Sequence, residues 1–196
     1  MREKGERTRN RIIETAKTLF HLSGYTNTSM DDIVKRCGVT KGNLYYYFSS
    51  KEELGNAVVE DLVSEWLLTG ISFNQKGDPI RQILAMFHRT EKDLEKMECK
   101  GGCLFGNLAL EVSDLHDGLR RKLADGFLRW EAQMQRLMEL GRESGVLKPS
   151  LDPKMVACFV IATFEGGILL SKVKKDVGAF KSCRVMIKDF LEGFRV

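Results

Sequence analysis

The sequence predicts an all-α protein, with a small N-terminal helix-turn-helix module joined to a larger helical body. Apolar residues recur at intervals of three and four residues along most of the chain, the spacing of amphipathic helices. Only 3 prolines occur in 196 residues, and no long alternation of apolar and polar residues indicates a strand. Capping residues and glycines divide the pattern into about nine helices.

Local signals place most helix boundaries. Ser29 is a suitable cap for a helix of barely two turns, with Asp32 three residues later and Gly38 at its end. Thr40 caps the next helix. The predicted helices are about 7–23, the short helix between 29 and 38, 41–47, 50–73, 79–97, 103–113, 115–144, 153–173 and 177–194.

A boundary near residue 50 divides the chain into a small N-terminal helix-turn-helix module, 1–50, and a larger helical body, 51–196. Residues 1–55, which include this module, contain ten Lys and Arg and seven Asp and Glu. The rest of the chain contains 21 Lys and Arg and 20 Asp and Glu. A basic segment on a neutral body favours a polyanionic partner, although a solvated surface would have the same composition.

Three features indicate a cytoplasmic protein without a membrane segment. The longest apolar run, ACFVIATF, is much shorter than the roughly 20 residues of a spanning helix, and MREKGERTRNR lacks the apolar region of a signal peptide. Five scattered cysteines do not form a disulfide framework. No metal is expected, since Cys99 and Cys103 have no second ligand pair at a zinc-like spacing, and no cofactor motif occurs.

The second and third helices, joined by CGVT, have the length and glycine turn of a helix-turn-helix, whose second helix enters the DNA major groove. Leu44 and Phe48 share the inward face. The outward polar and aromatic residues are predicted to contact bases or phosphates. With the flanking residues, the predicted DNA-binding set is Thr28, Ser29, Thr40, Lys41, Gly42, Asn43, Tyr45, Tyr46, Tyr47 and Lys51.

Residues 12–54, IIETAKTLFHLSGYTNTSMDDIVKRCGVTKGNLYYYFSSKEEL, resemble the N-terminal domain of the TetR family of bacterial transcriptional regulators. The resemblance implies a homodimer that binds a near-palindromic operator, usually as a repressor, and leaves it when the C-terminal domain binds a small molecule. It also implies base contacts by Lys41, Gly42, Asn43 and Tyr45, and phosphate contacts by Ser29, Tyr46 and Lys51.

The same resemblance assigns dimerisation to the last two helices, where Phe159, Gly167 and Phe190 stand among many apolar residues. Some of these residues would instead be core of a single chain. Ligand contacts are expected from apolar and polar side chains of the middle helices, although apolar residues at this spacing are also typical of core. The candidate ligand residues are Phe87, Cys103, Asn107, Glu111, Trp130, Met134, Phe164 and Glu165.

The segment CKGGCLFGNLALEVSDLHDGLR resembles a branch of the family that includes electrophile-sensing and redox-sensing repressors. Cys103 begins a predicted helix, where the helix dipole favours the reactive thiolate. The resemblance assigns an assisting role to Lys172. The alternatives are reversible ligand binding and a buried, inert cysteine. An enzyme is not expected, because no metalloprotease, phosphate-loop or serine-hydrolase motif occurs, and a helical module without DNA binding stays open as a rival.

Overall fold

The computed structural model describes residues 2–65 and 77–196, with side chains from Gly5 onward. Within these ranges the regular structure is helical, and one isolated bridge joins Leu147 to Arg195. The predicted all-α class is confirmed. The helices are α1 (Arg2–Ser23), α2 (Met30–Cys37), α3 (Lys41–Tyr47), α4 (Lys51–Glu65), α5 (Pro79–Lys96), α6 (Leu104–Val112), α7 (Asp117–Glu143), α8 (Pro153–Lys174) and α9 (Gly178–Glu192).

The start of the first helix differs from the sequence-based prediction. Helix α1 begins at Arg2 instead of residue 7, because the segment before its apolar stripe is rich in Arg, Glu and Lys, which are good helix formers. The predicted end of the fourth helix at residue 73 lies outside the described residues. Helices α5 and α8 each begin with a proline that directly follows an aspartate N-cap. The N-cap is Asp78 in α5 and Asp152 in α8.

The first compact unit comprises residues 1–65 and 104–126. It is larger than the predicted module 1–50, because α4, α6 and the start of α7 share its apolar core. The buried residues Leu54 and Val58 of α4 and Leu108 and Val112 of α6 belong to the cluster that holds α1, α2 and α3. The helix-turn-helix therefore rests on helices that the sequence-based division assigned to the body.

The described part of the second compact unit comprises residues 77–103 and 127–196. Its core is aromatic: the ring of Phe87 lies 5.1 Å from Phe164 and 5.3 Å from Phe180, and Trp130 lies 5.4 Å from Phe164. Helices α8 and α9 pack along each other. A Cβ at Gly167 would lie 2.9 Å from Phe180, so this glycine permits the close approach of the two helices.

Helix α8 is long and apolar enough to cross a membrane by length and composition alone. Helix α8 contains few charged residues, so its average composition is apolar over its full length. The sequence-based prediction considered only uninterrupted apolar runs, and the longest of these is much shorter than the helix. The core helices of non-membrane proteins meet the same criterion, and α8 buries Val160, Ile161, Phe164 and Ile168 in unit 2. Further apolar residues of α8 lie on its other face, outside this core.

Candidate nucleic-acid interface and regulatory residues

Helices α2 and α3 are both held by caps formed within a few residues. The Ser29 hydroxyl accepts from the Asp32 amide at 3.1 Å, and the Asp32 carboxylate accepts from the Ser29 amide at 2.9 Å. Gly38 ends α2 in the left-handed region with φ 68°. Thr40 Oγ1 then accepts from the Asn43 amide at 3.2 Å and starts α3. This local bonding sets the geometry of the helix-turn-helix.

One face of α3 is buried and the other is open. Leu44 and Phe48 are enclosed in the core of unit 1, and the Arg9 guanidinium of α1 lies 5.2 Å from the Phe48 ring centre. The exposed residues of this segment are Thr40, Lys41, Gly42, Asn43, Tyr45 and Tyr46. The open face thus carries polar, small and aromatic side chains suited to base edges and phosphates.

The three consecutive tyrosines have three different environments. Tyr46 is 81% exposed and Tyr45 is 42% exposed. Tyr47 is half-buried against the core of unit 1, and its ring meets that of Tyr46 edge to face at 5.0 Å. Tyr45 and Tyr46 can therefore reach a ligand without rearrangement, whereas Tyr47 also supports the packing of α3.

Lys41 forms an ion pair on this surface. Its ammonium lies 2.9 Å from the carboxylate of Asp31 on α2. The hydrogen bond to Asp31, and then the charge of that carboxylate, raise the pKa of Lys41. Both partners are exposed, so water and salt weaken the pair, and a phosphate or guanine can replace Asp31 as the partner. Sequence reasoning missed Asp31, because nothing in the local spacing shows that it faces Lys41.

Two predicted DNA contacts have other roles in the structure. Thr28 is 2% exposed, and its hydroxyl donates to the Gly24 carbonyl at 2.7 Å, which turns it away from solvent. The Lys51 ammonium donates to the carbonyls of Tyr25, Thr26 and Thr28 at 2.8, 3.2 and 3.0 Å. It also lies 4.4 Å from the Tyr25 ring centre. In this structure Lys51 therefore holds the loop between α1 and α2, and its contact with a DNA phosphate stays a prediction.

Glu111, predicted to contact a ligand, also holds this loop. Its carboxylate accepts from the amides of Tyr25 and Thr26 at 2.8 and 2.7 Å. Burial would raise the pKa of Glu111, but these amide bonds outweigh burial and hold the pKa below its usual range. Glu111 from α6 and Lys51 from α4 thus bind the same loop through its amides and its carbonyls. We call residues 24–28 with Glu111 and Lys51 the loop clamp.

Replacing Glu111 by alanine is expected to lower the free energy of unfolding by about 1–3 kcal/mol, because two backbone amides lose a charged acceptor. The pKa of Glu111 is depressed in the folded state, so its contribution is present above about pH 4.3 and is lost as the pH falls through the folded-state value. Urea unfolding of both proteins at pH 7 and pH 3 measures this difference.

The exposed carboxylate of Asp114, just after α6, provides the matched control. Asp114→Ala should change the free energy of unfolding by less than about 0.5 kcal/mol. A stability difference between wild type and Glu111→Ala that persists undiminished at pH 3 would contradict the assigned role of the carboxylate.

Three acidic side chains of unit 1, Glu14, Asp61 and Glu65, offer oxygen atoms within 4.8 Å of one another. The ammonium of Lys17 already lies among them, 3.0 Å from Glu14 and 2.9 Å from Glu65, and it is also paired with Asp61. Burial lowers the pKa of Lys17, but the three carboxylates outweigh burial and raise it. The lysine supplies the positive charge that a metal ion would supply.

Four of the predicted ligand residues lie in the packed core of unit 2. Phe87, Trp130, Met134 and Phe164 are all buried, and the rings contact one another. Asn107 is half-buried on α6 and belongs to unit 1, as does Glu111. The candidate set is therefore divided between the two units, because apolar residues at helical spacing serve both cores.

Cys103 and Glu165 do come together in unit 2. The Cys103 thiol hydrogen-bonds to the Glu165 carboxyl group, and burial raises the pKa of Glu165. Cys103 directly precedes α6, as predicted. Lys172 lies seven residues after Glu165 on α8, so it is two turns along the same side of that helix.

The apolar residues of the last two helices fall into two groups. Val160, Gly167, Phe180, Ile187 and Leu191 are buried within the chain. A second group of apolar residues is exposed on the faces of α8 and α9 that point away from this core. In this group the ring centres of Phe159 on α8 and Phe190 on α9 lie 4.8 Å apart, so the two helices are in contact here. We call this group the apolar face; it consists of Met155, Phe159, Leu169, Leu170, Val173, Val185, Met186 and Phe190.

Comparison with known families agrees with the geometry of α2 and α3. Residues 12–58 match the family described as bacterial regulatory proteins, tetR family, and residues 79–187 match the tetracyclin repressor-like C-terminal domain. The chain belongs to the TetR family of transcriptional regulators. The predicted family is confirmed, including its helix-turn-helix, and this is a family of regulators rather than enzymes.

Individual relatives span nearly the whole chain. The transcriptional repressor DhaR of Mycobacterium sp. (strain GP1) is 30% identical over 170 residues, which are 86% of this chain and 84% of DhaR. The repressor NemR of Escherichia coli (strain K12) is 26% identical over 186 residues, 94% of each protein. The crystal structure of E. coli NemR in its reduced form superposes with a TM-score of 0.82 and 28% identity, covering 93% of this chain and 96% of NemR.

A TetR regulator from Chloroflexus aurantiacus superposes with a TM-score of 0.88 at 27% identity, over 100% of this chain and 98% of the other. The nine helices of the described ranges therefore follow the arrangement of solved members of the family.

Proposed function

We propose that this TetR-family protein is a repressor that binds a near-palindromic operator as a homodimer and leaves it when a small molecule binds to its C-terminal part. The observation that carries the DNA-binding step is the open face of α3, where Lys41, Asn43, Tyr45 and Tyr46 stand exposed beside the buried Leu44. The repressor DhaR and the repressor NemR support the direction of regulation. The protein would act in the cytoplasm, where bacterial operators are accessible.

The apolar face supports the homodimer. Eight large apolar side chains on α8 and α9 are exposed in the single chain, and exposed patches of this kind mark interaction sites. A two-fold axis through this face would pair each helix with its copy in a four-helix arrangement. The half-buried Gly166, around which a Cβ would meet no atom within 4 Å, leaves room for close approach of a partner helix.

DNA binding can be tested without knowing the operator. Purified protein would select duplexes from a random-sequence library, and the selected sequence would be measured by fluorescence anisotropy at several salt concentrations. We expect a two-fold symmetric sequence whose affinity falls with salt as phosphate contacts are lost. Recovery of only unrelated sequences with equal affinity would exclude a sequence-specific regulator.

A second route to operator release is modification of Cys103 by an electrophile. Cys103 is partly exposed directly before α6, and the reduced form of NemR is among the similar structures. The Cys103 thiol is hydrogen-bonded to the Glu165 carboxyl group within the chain, so reversible ligand binding is the better supported mechanism. Lys172, on the same side of α8, would assist the modification if it occurs.

Treatment with N-ethylmaleimide distinguishes the two mechanisms. Under reversible binding, we expect operator release by the electrophile to be the same for wild type and Cys103→Ser. Cys183, which is half-buried like Cys103, provides the control variant Cys183→Ser. Release that is lost in Cys103→Ser and retained in Cys183→Ser would replace ligand binding by cysteine sensing.

A further inference from the structure

A groove of about 350 Å³ lies between α7 and α8 in unit 2. Its described lining is apolar on the walls and acidic at two points. No lysine or arginine is among these described residues. The lining residues are Phe127, Glu131, Cys158, Ile161, Ala162 and Glu165.

Glu165 has an incomplete set of hydrogen bonds in this groove. Its Oε1 atom is buried and has no hydrogen-bond partner among the residues that the structure describes, while the carboxyl group receives a hydrogen bond from the Cys103 thiol. Buried carboxyl oxygens normally have a donor, because an unsatisfied one loses its hydration without compensation. Burial accordingly raises the pKa of Glu165, and the thiol only partly offsets this effect. The position favours a donor supplied from outside the chain.

The size and charge of the groove restrict that donor. A volume of about 350 Å³ is at the lower end of the range for small-molecule sites. The Phe127 ring and the Ile161 side chain would contact an apolar body, and an aromatic face also attracts a cation. Glu131 and Glu165 would repel a carboxylate or phosphate. A small amphiphile with a positively charged N–H donor meets all of these conditions.

We propose that the α7–α8 groove binds a small organic amine, with its ammonium donating to Glu165 and its apolar body against Phe127 and Ile161. Glu131 adds attraction at longer range. This assignment names the class of inducer for the proposed function, and its regulatory consequence rests on that function. Binding itself does not depend on DNA.

Calorimetric titration of the full-length protein with three phenyl compounds tests the assignment. The probes are 2-phenylethylammonium, 2-phenylethanol and phenylacetate, which share one apolar body. We expect the ammonium to bind at least about 10-fold more tightly than the alcohol, because only the ammonium can form a charge-assisted hydrogen bond with the carboxylate, and we expect no binding of phenylacetate.

Glu165→Gln keeps the shape of the side chain and removes its charge, so it should weaken ammonium binding about 10-fold and leave the alcohol unchanged. Glu143→Gln, on an exposed position of α7, is the matched control and should bind the ammonium as wild type does. Equal affinity of ammonium and alcohol, or an unchanged affinity in Glu165→Gln, would overturn the assignment.

Two further outcomes separate the site from the function. Ammonium binding that depends on Glu165 without operator release would keep the site and exclude its role as the inducer site. Operator release by other compounds, with no ammonium binding, would overturn the amine site and leave the regulator intact. If the ammonium bound only to a monomeric variant, the second subunit of the dimer would fill the α7–α8 groove. This result would also overturn the assignment.

Discussion

Asn43→Ala is expected to abolish most of the operator preference while leaving the fold intact. The backbone amide of Asn43 donates to the Thr40 cap of α3, and alanine retains that backbone bond. The side chain itself is exposed on the open face of α3. A lost base contact costs about 1–3 kcal/mol, and a dimer on a symmetric operator loses it twice. The total of about 2–6 kcal/mol corresponds to a reduction in affinity of roughly 30-fold or more.

The effect should be confined to the specific sequence. Binding to unrelated duplexes depends on phosphate contacts, which Asn43→Ala does not remove, so non-specific affinity should be unchanged. Fluorescence anisotropy with the selected operator and a scrambled duplex measures both affinities, and thermal unfolding monitors the fold.

Gln135→Ala serves as the matched control, since it removes a half-buried side-chain amide from α7 in unit 2. That amide donates to Glu139 of the same helix at 2.9 Å, so its loss leaves unit 1 unchanged. The variant should bind the operator as wild type does. If Asn43→Ala also retained full operator affinity, α3 would not be the element that reads bases through this residue.

Leu170→Glu is expected to convert the dimer to a monomer. Leu170 is 46% exposed in the single chain, on the apolar face of α8, so a carboxylate there leaves the intrachain core undisturbed. In a two-fold interface the same substitution occurs on both subunits, and two carboxylates would be buried without partners. Size-exclusion chromatography with light scattering should therefore give the mass of one chain.

Loss of the dimer should also weaken operator binding by about 100-fold or more, since the second half-site is then no longer bound intramolecularly. Leu128→Glu is the matched control: Leu128 is 63% exposed on α7, outside the apolar face. This variant should stay dimeric and bind the operator. A dimeric Leu170→Glu protein beside a monomeric Leu128→Glu protein would place the interface elsewhere.

Sequence reasoning succeeded where the deciding interactions are local. The caps at Ser29 and Thr40 join residues three positions apart, so their hydrogen bonds could be anticipated from spacing. The same holds for Leu44, whose inward position follows from helical periodicity. The all-α class and the helix-turn-helix were determined in this way, whereas the family was identified by the resemblance of residues 12–54.

Only the tertiary structure decided which side chains of the predicted helices are exposed to a binding partner and which are engaged within the chain. Lys51 binds a carbonyl 26 positions away and Glu111 binds an amide 86 positions away, so neither role is visible in local spacing. Periodicity likewise could not separate the buried Val160 from the exposed Phe159, because both lie within one apolar helix. The sequence by itself determined the helices and their caps, since these depend on neighbours along the chain, and it identified the family through a resemblance. The loop clamp, the apolar face and the unsatisfied Glu165 oxygen depend on contacts between distant segments, which exist only after the chain has packed.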